Sequence, residues 1–413
     1  MRDSIFNTRN LVGSTHSSPV KPAAAMVALV GAATFGGQAI AADLTEVEIV
    51  AAPAVQTVSY PFIIAELEVE LENDLVFNSD DPDAEFNNLY PTIGFAAELG
   101  LNEYFKVVVG LTMEQLEDPE EDSYFEDVGL YMDTIHLQAD VGGLSLLAGK
   151  YGPEFGQAWD NTPGLYGTSL AEDYEITEMI ALGFAYEFDL GDAGAHTLAA
   201  NTFFADTTVL SESLITNRGR VSLSDGGSAN TERFNNYAVA LSGEEMAALP
   251  GLSYNLGFTY LSAGIGDVAD QTGYVFGLAY ENEYANGVTM NVTGEVAYFN
   301  NIGGTLDDGT YFTAGLELSN GSWHGELAGA LRDINLDGGG SEDTSFVQLS
   351  GGYEFDNGLD LTLGYAYVDE DSVGSHVFGV RLYKAFNFAT PGAPDEELDL
   401  PERPRVRGGP VVQ

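Results

Sequence analysis

The stretch Phe62-Ile63-Ile64-Ala65-Glu66-Leu67-Glu68-Val69-Glu70-Leu71-Glu72 carries the argument about the fold. Apolar residues at 63, 65, 67, 69 and 71 alternate with carboxylates at 66, 68, 70 and 72. A period of two is the mark of a strand with two unlike faces. One face is hydrocarbon. The other holds four negative charges, which are too costly to bury in an apolar medium and must meet water.

The same alternation recurs downstream. Leu359, Leu361, Leu363, Tyr365 and Tyr367 share one face, as do Leu252, Tyr254, Leu256, Phe258 and Tyr260. Sixteen such segments are expected between residues 61 and 388, the first over 61–72, the sixth over 174–190 and the last over 374–388. Their connections alternate long and short: 73–90 then 102–103, 117–127 then Gly142-Gly143, 152–173 then 191–195. The final link is expected at 370–373. Most segments approach the ~9–11 residues that a tilted strand needs to cross a bilayer. Strands of soluble proteins are usually ~5–6 residues long. The expected fold class is all-β, a transmembrane antiparallel up-and-down β-barrel of about 16 strands. Long outer loops and short periplasmic turns are its habit, and an even count puts both chain ends in the periplasm. Aromatic residues crowd the segment ends (Tyr60, Phe62, Tyr104, Phe105, Tyr186, Phe188, Tyr298, Tyr311, Trp323, Tyr367 and Phe386), as an interfacial girdle requires.

The flanks are of different character. Arg2, Arg9 and Lys21 precede an Ala/Gly-rich apolar run to Gly37, followed by Ala39-Ile40-Ala41. That is the order of a secretory signal, expected at 1–41. Residues 42–60 form a short periplasmic extension, 61–388 the barrel, and 389–413 a Pro-rich periplasmic tail too poor in ladder donors for another strand. Deleting 389–413 is expected to leave assembly intact. Within the extension, Thr45-Glu46-Val47-Glu48-Ile49-Val50-Ala51-Ala52-Pro53 looks like a TonB-binding box, but the segment is too short for a plug domain and reads as a periplasmic extension.

Composition narrows the function. Lys and Arg number 14 against 64 Asp and Glu, a net charge of −50, so no nucleic-acid partner is expected. Cysteine is absent, which excludes disulfides and thiolate metal sites. The acidity has two readings, a cation-preferring interior and adaptation of the surface to salt. Acidic runs at Asp80–Glu85, Glu117–Asp122 and Asp369–Asp371 read as solvated loop charge, the alternative being carboxylates that gather divalent cations bridging lipopolysaccharide phosphates.

If the apolar face meets lipid, its neighbours line a water-filled passage. The lumenal and selectivity candidates are Glu66, Glu68, Glu70, Glu72, Lys106, His136, Asp140, Glu295, Glu326, Arg332 and Arg381. The long link after the fifth segment holds Pro153, Glu154, Phe155, Trp159 and Asp160, a composition suited to a constriction loop folded onto the inner wall or to one packed on the rim. No catalytic residues, metal site or cofactor are expected, and no Gly-x-Ser-x-Gly elbow occurs. A structural or adhesive barrel without conductance is the rival class.

At Gly149-Lys150-Tyr151-Gly152-Pro153-Glu154-Phe155-Gly156, with Asp160, Pro163-Gly164-Leu165 and Leu170-Ala171-Glu172, the chain resembles outer-membrane porins of the LbtU-type siderophore-porin group. Glu154 interrupts the family's Pro–Phe–Gly turn, and Asp-Pro-Leu is missing. The resemblance implies a pore in a Gram-negative outer membrane that imports small solutes or a ferric siderophore. The barrel reading itself carries the expected partners: outer-membrane lipid, lipopolysaccharide and the barrel-assembly machinery. Both a homotrimer and a monomer stay open.

Overall fold

A computed structural model describes residues 58–117, 119 and 121–394 of the chain. The signal segment, most of the extension and the tail beyond 394 lie outside the described residues. So do Asp118 and Glu120 of the second acidic run.

The barrel strands are β1 Phe62–Ser79, β2 Asn87–Gly100, β3 Phe105–Gln115, β4 Val128–Val141, β5 Leu144–Tyr151, β6 Met179–Asp189, β7 Ala195–Ala205 and β8 Asn236–Glu244. They continue as β9 Leu252–Leu261, β10 Gln271–Glu283, β11 Thr289–Asn300, β12 Asp308–Asn320, β13 Trp323–Asn335, β14 Ser341–Glu354, β15 Leu359–Glu370 and β16 Val373–Ala389. Each pairs antiparallel with the next, and β16 returns to β1 with Glu72 opposite Arg381. The expected fold class is the observed one, a closed antiparallel barrel of sixteen strands. Closure leaves no open sheet edge, a condition for strands to stand in hydrocarbon. Two short pieces extend the wall: Ser123–Tyr124 pairs with β2 and Leu214–Ile215 with β4.

The two faces differ as the alternation requires. On β15, Leu363 and Tyr365 are 46% and 40% exposed, and Ala366 beside them is 1% exposed. Outward on other strands stand Val69, Leu256, Phe276, Phe312, Leu349 and Phe378, all exposed. A large apolar side chain left in water forgoes roughly 1.5–3 kcal/mol of burial. A belt of them around a closed barrel is matched to a bilayer.

Several local expectations are corrected. Phe62 and Tyr311 do not join the girdle and are only 5% and 4% exposed. Phe62 sits one pleat step from the outward Ile63 and turns inward across from Gly100. Tyr311 packs its ring against Tyr174 and Phe299. β1 continues past residue 72 to Ser79, so the first outer loop shrinks from 73–90 to 80–86. The inward Val76, 1% exposed, breaks the polar–apolar pattern there without breaking the strand. β6 starts at Met179, and 174–178 belong to the preceding loop. The last outer link is only Asp371-Ser372, both left-handed (φ 48° and 72°), so the alternation of loop lengths ends before the chain does. That pair of dihedrals is the tight-hairpin solution. β16 runs to Ala389, and the ladder goes further: Thr390 N–H donates to the Ile63 carbonyl and Ser59 N–H to that of Gly392. The boundaries drawn at 60/61 and 388/389 therefore fall inside one bonded seam.

Candidate functional site

β1 places Glu66, Glu68, Glu70 and Glu72 on the inward face, with Asp74 as a fifth carboxylate in the row. Asp74 is 4% exposed and accepts from the hydroxyls of Tyr90 (2.9 Å) and Tyr166 (2.5 Å). Tyr383 on β16 donates to Glu68. The Arg381 Nε stands 3.9 Å from Glu70. Sequence reading missed Asp74 because it ended the strand at 72. The signal was present, since 74 continues the same two-residue step.

Across β2 to β4, Lys106 pairs with Glu98 at 3.0 Å and approaches Asp140 at 3.9 Å. His136 is buried, with its ring edge-on to Tyr151. Glu114 is fully buried and accepts from the Tyr131 hydroxyl at 2.6 Å. On the opposite wall, His324 lies between Glu326 and Asp360, its Nε2 2.8 Å from the Asp360 carboxylate. Ser350 donates to the second oxygen of Glu326. Arg332 contacts Asp173 (2.9 Å), Thr344 (2.8 Å) and Glu370 (3.3 Å).

The segment 152–178 lies inside the barrel. Its contacts prove this by their address, for they fall on inward residues of β1, β9 and β11 to β16. Glu154 accepts from Asn255, and the Phe155 ring packs over Gly257. The Glu295 carboxylate on β11 takes the N–H groups of Gln157 (2.7 Å) and Ala158 (3.2 Å) and the Tyr174 hydroxyl (2.6 Å). Pro163 fills space above Gly315 and accepts from Gln348. Leu165 rests on Gly364, and Tyr166 on Gly379. A methyl group at Gly379 would overlap the Tyr166 hydroxyl, so the wall must lack a Cβ there for the loop tip to seat. Trp159 turns its indole N–H back to the Phe155 carbonyl, and Pro153, Trp159 and Asp160 are all buried. Burial first, and the charge of Glu295 second, raise the Tyr174 phenol well above its ordinary value, which keeps it a donor.

A second loop, 206–235, is fastened at its root. The Lys150 ammonium, wholly buried, is 2.9 Å from both Glu178 and Asp206 and donates to the Leu210 carbonyl. Arg218 reaches Glu178 at 2.6 Å and lies over the Tyr131 ring. Here Leu214–Ile215 pairs with Gly129–Leu130, beside the end of the eight-residue β5. Lys150, Glu178 and Asp206 were not candidates from sequence, since nothing local brings three loop roots together.

Among the described residues no three His, Cys, Asp or Glu side chains converge as ligands of one metal ion. The inner face is a wall rich in carboxylates, with the segment 152–178 packed against it. Solved structures share this architecture. OprB of Pseudomonas putida superposes with a TM-score of 0.56 at 12% identity, over 79% of this chain and 94% of OprB. The outer membrane channel DcaP of Acinetobacter baumannii gives 0.50 at 11% identity, over 78% of this chain and 97% of DcaP. At such identities the likeness is one of fold. No family model matches this chain, and no curated relative does.

Proposed function

We propose that this chain is a porin of the Gram-negative outer membrane, a water-filled and cation-preferring channel for passive diffusion of small solutes. The observation that carries it is the pairing of an apolar outer belt with a lumen whose carboxylates outnumber its basic groups. Glu66, Glu68, Glu70, Glu72 and Asp74 line one strand, against Lys106, Lys150, Arg332 and Arg381 on the whole wall. A low-dielectric wall with one sign of charge focuses its field into the passage and raises the local counter-ion concentration. DcaP, described as an outer membrane channel, supports the location through its shared fold. The loop 152–178 serves as the constriction, with Pro153, Glu154, Phe155, Trp159 and Asp160 in its first half.

The test is a planar-bilayer measurement of reversal potential in a salt gradient. The wild type should favour cations. A variant with Glu66, Glu68, Glu70 and Glu72 all changed to Gln should lose much of that preference. Salt should weaken the effect, since the Debye length falls to ~3 Å at 1 M. An anion-selective or non-conducting wild type would overturn the proposal. The siderophore reading has one support of its own: the residues that carry the LbtU-type resemblance are those of the internal loop. Ferric-chelate uptake that depends on this loop would favour it over general diffusion.

A further inference from the structure

Glu72 is the most secluded member of the acidic row. It is 3% exposed, and its Oε1 has no hydrogen-bond partner. Its neighbours on the same face are two more carboxylates, Glu70 and Asp74, both within hydrogen-bonding reach of it. The two oxygens of Asp74 are taken by Tyr90 and Tyr166. Directly across from Glu70 on β2 stands Thr92, also 3% exposed, whose hydroxyl has no partner. Arg381 is the nearby guanidinium, but it is shared among Glu70, Glu72, Asp360 and Glu326. Two touching carboxylates in a poorly solvated wall repel unless positive charge lies between them. One guanidinium divided among four acids does not supply it.

We infer that Glu70, Glu72 and Thr92 hold a small hard cation from the medium, an alkali or alkaline-earth metal ion. The donors are all oxygen, carboxylate and hydroxyl, which suits hard cations and not the metals that seek imidazole or thiolate. Two carboxylates are fewer than a dedicated metal centre gathers, which agrees with the absence of a three-ligand cluster among the described residues. The site is accordingly weak, of the class that fills at about 10⁻⁴–10⁻³ M or above. It is a fixed station in the wall, distinct from the diffuse attraction of the row. Access to it from the lumen rests on the proposed aqueous pore.

The experiment uses the detergent-purified full chain. Thermal unfolding is followed in sodium chloride, calcium chloride and choline chloride at equal ionic strength, for wild type, Glu72→Gln and Thr92→Val. A ligand that binds only the folded state raises Tm. Sodium or calcium should raise the wild-type Tm above that in choline, and the larger shift names the ion. Glu72→Gln should abolish the difference, and Thr92→Val should reduce it. If Glu72→Gln does not assemble, Thr92→Val carries the test. Equal Tm in all three salts would overturn the inference and leave a shared proton as the positive charge. An undiminished metal-specific shift in Glu72→Gln would overturn it as well. A protein that conducts but shows no metal-specific shift loses this inference and keeps the pore. A metal-specific shift in a barrel that does not conduct has the opposite meaning.

Discussion

The carboxylate of Glu295 on β11 accepts the hydroxyl of Tyr174 at 2.6 Å, a bond between residues 121 apart in the chain. The same carboxylate holds the amides of Gln157 and Ala158, so one buried side chain grips both arms of the internal loop. Hydrogen bonds to a charged group contribute about 1.5–3 kcal/mol each. Changing Glu295 to Ala should therefore loosen the loop by about 3 kcal/mol or more. Single-channel traces should show larger conductance and more noise, with Glu295→Gln in between. An Ala variant with wild-type traces would refute the anchor.

The loop tip depends on space rather than charge. A side chain at Gly379 collides with Leu165 and Tyr166. Gly379→Leu should cost about 1–3 kcal/mol, the range for overpacking. The barrel should still migrate as a folded band without boiling. Amide exchange in 164–169 should rise. Unchanged exchange there would mean that the tip seats elsewhere.

Lys150 makes a different kind of forecast. Lys150→Met leaves Glu178 and Asp206 buried without their ammonium. Breaking a buried pair in this way costs about 3–5 kcal/mol. The loop 206–235 should then open to trypsin at Arg218 and Arg220, while wild type resists. Equal resistance in both would show that the loop is held by other contacts.

Acid should loosen one outer loop. Asp270 is held below its ordinary value of 3.8, chiefly by the Ala263 N–H and then by the Tyr260 hydroxyl. A depressed carboxyl contributes stability that is complete above the unfolded value and fades as pH falls through the folded one. Exchange at the Ala263 amide should therefore quicken below about pH 4 and stay flat between neutral and mildly alkaline pH. Asp270→Asn should remove the acid-dependent part.

The seam at the chain ends revises where a truncation is safe. A chain ending at Pro394 should insert and run as a heat-modifiable band. A chain ending at Phe388 loses Ala389 from the ladder and the bonds of Thr390 and Gly392 to Ile63 and Ser59. At about 1 kcal/mol each, their loss should lower Tm and slow assembly. Equal behaviour of the two truncations would show the seam to be dispensable.

The barrel was legible because its determinants are local. Alternation at Phe62–Glu72 or Leu359–Tyr367 is a property of neighbouring residues, and the pleat converts it into two faces without outside help. The inward address of Glu66 to Glu72, Lys106, His136, Glu295, Glu326 and Arg381 follows from that step alone. Where an inward residue was apolar, as at Val76, the pattern lost its contrast and the strand was cut short, with Asp74 lost as well. The position of the internal loop was not local information. Glu295, Gln348, Gly315, Gly364 and Gly379 meet it from five different strands, and nothing in residues 152–178 names them. Shape decided that match: a wall missing four Cβ-sized volumes, at Gly257, Gly315, Gly364 and Gly379, and offering the Glu295 acceptor becomes a seat only when closure brings the far strands across the lumen. Lys150, Glu178 and Asp206 likewise acquire their meaning from three loop roots that the short β5 lets converge. The sequence by itself determined a sixteen-stranded wall and the sign of its charge, because both rest on a two-residue period. Only the tertiary structure decided what fills the lumen, because that rests on complementarity between residues 92 or more positions apart.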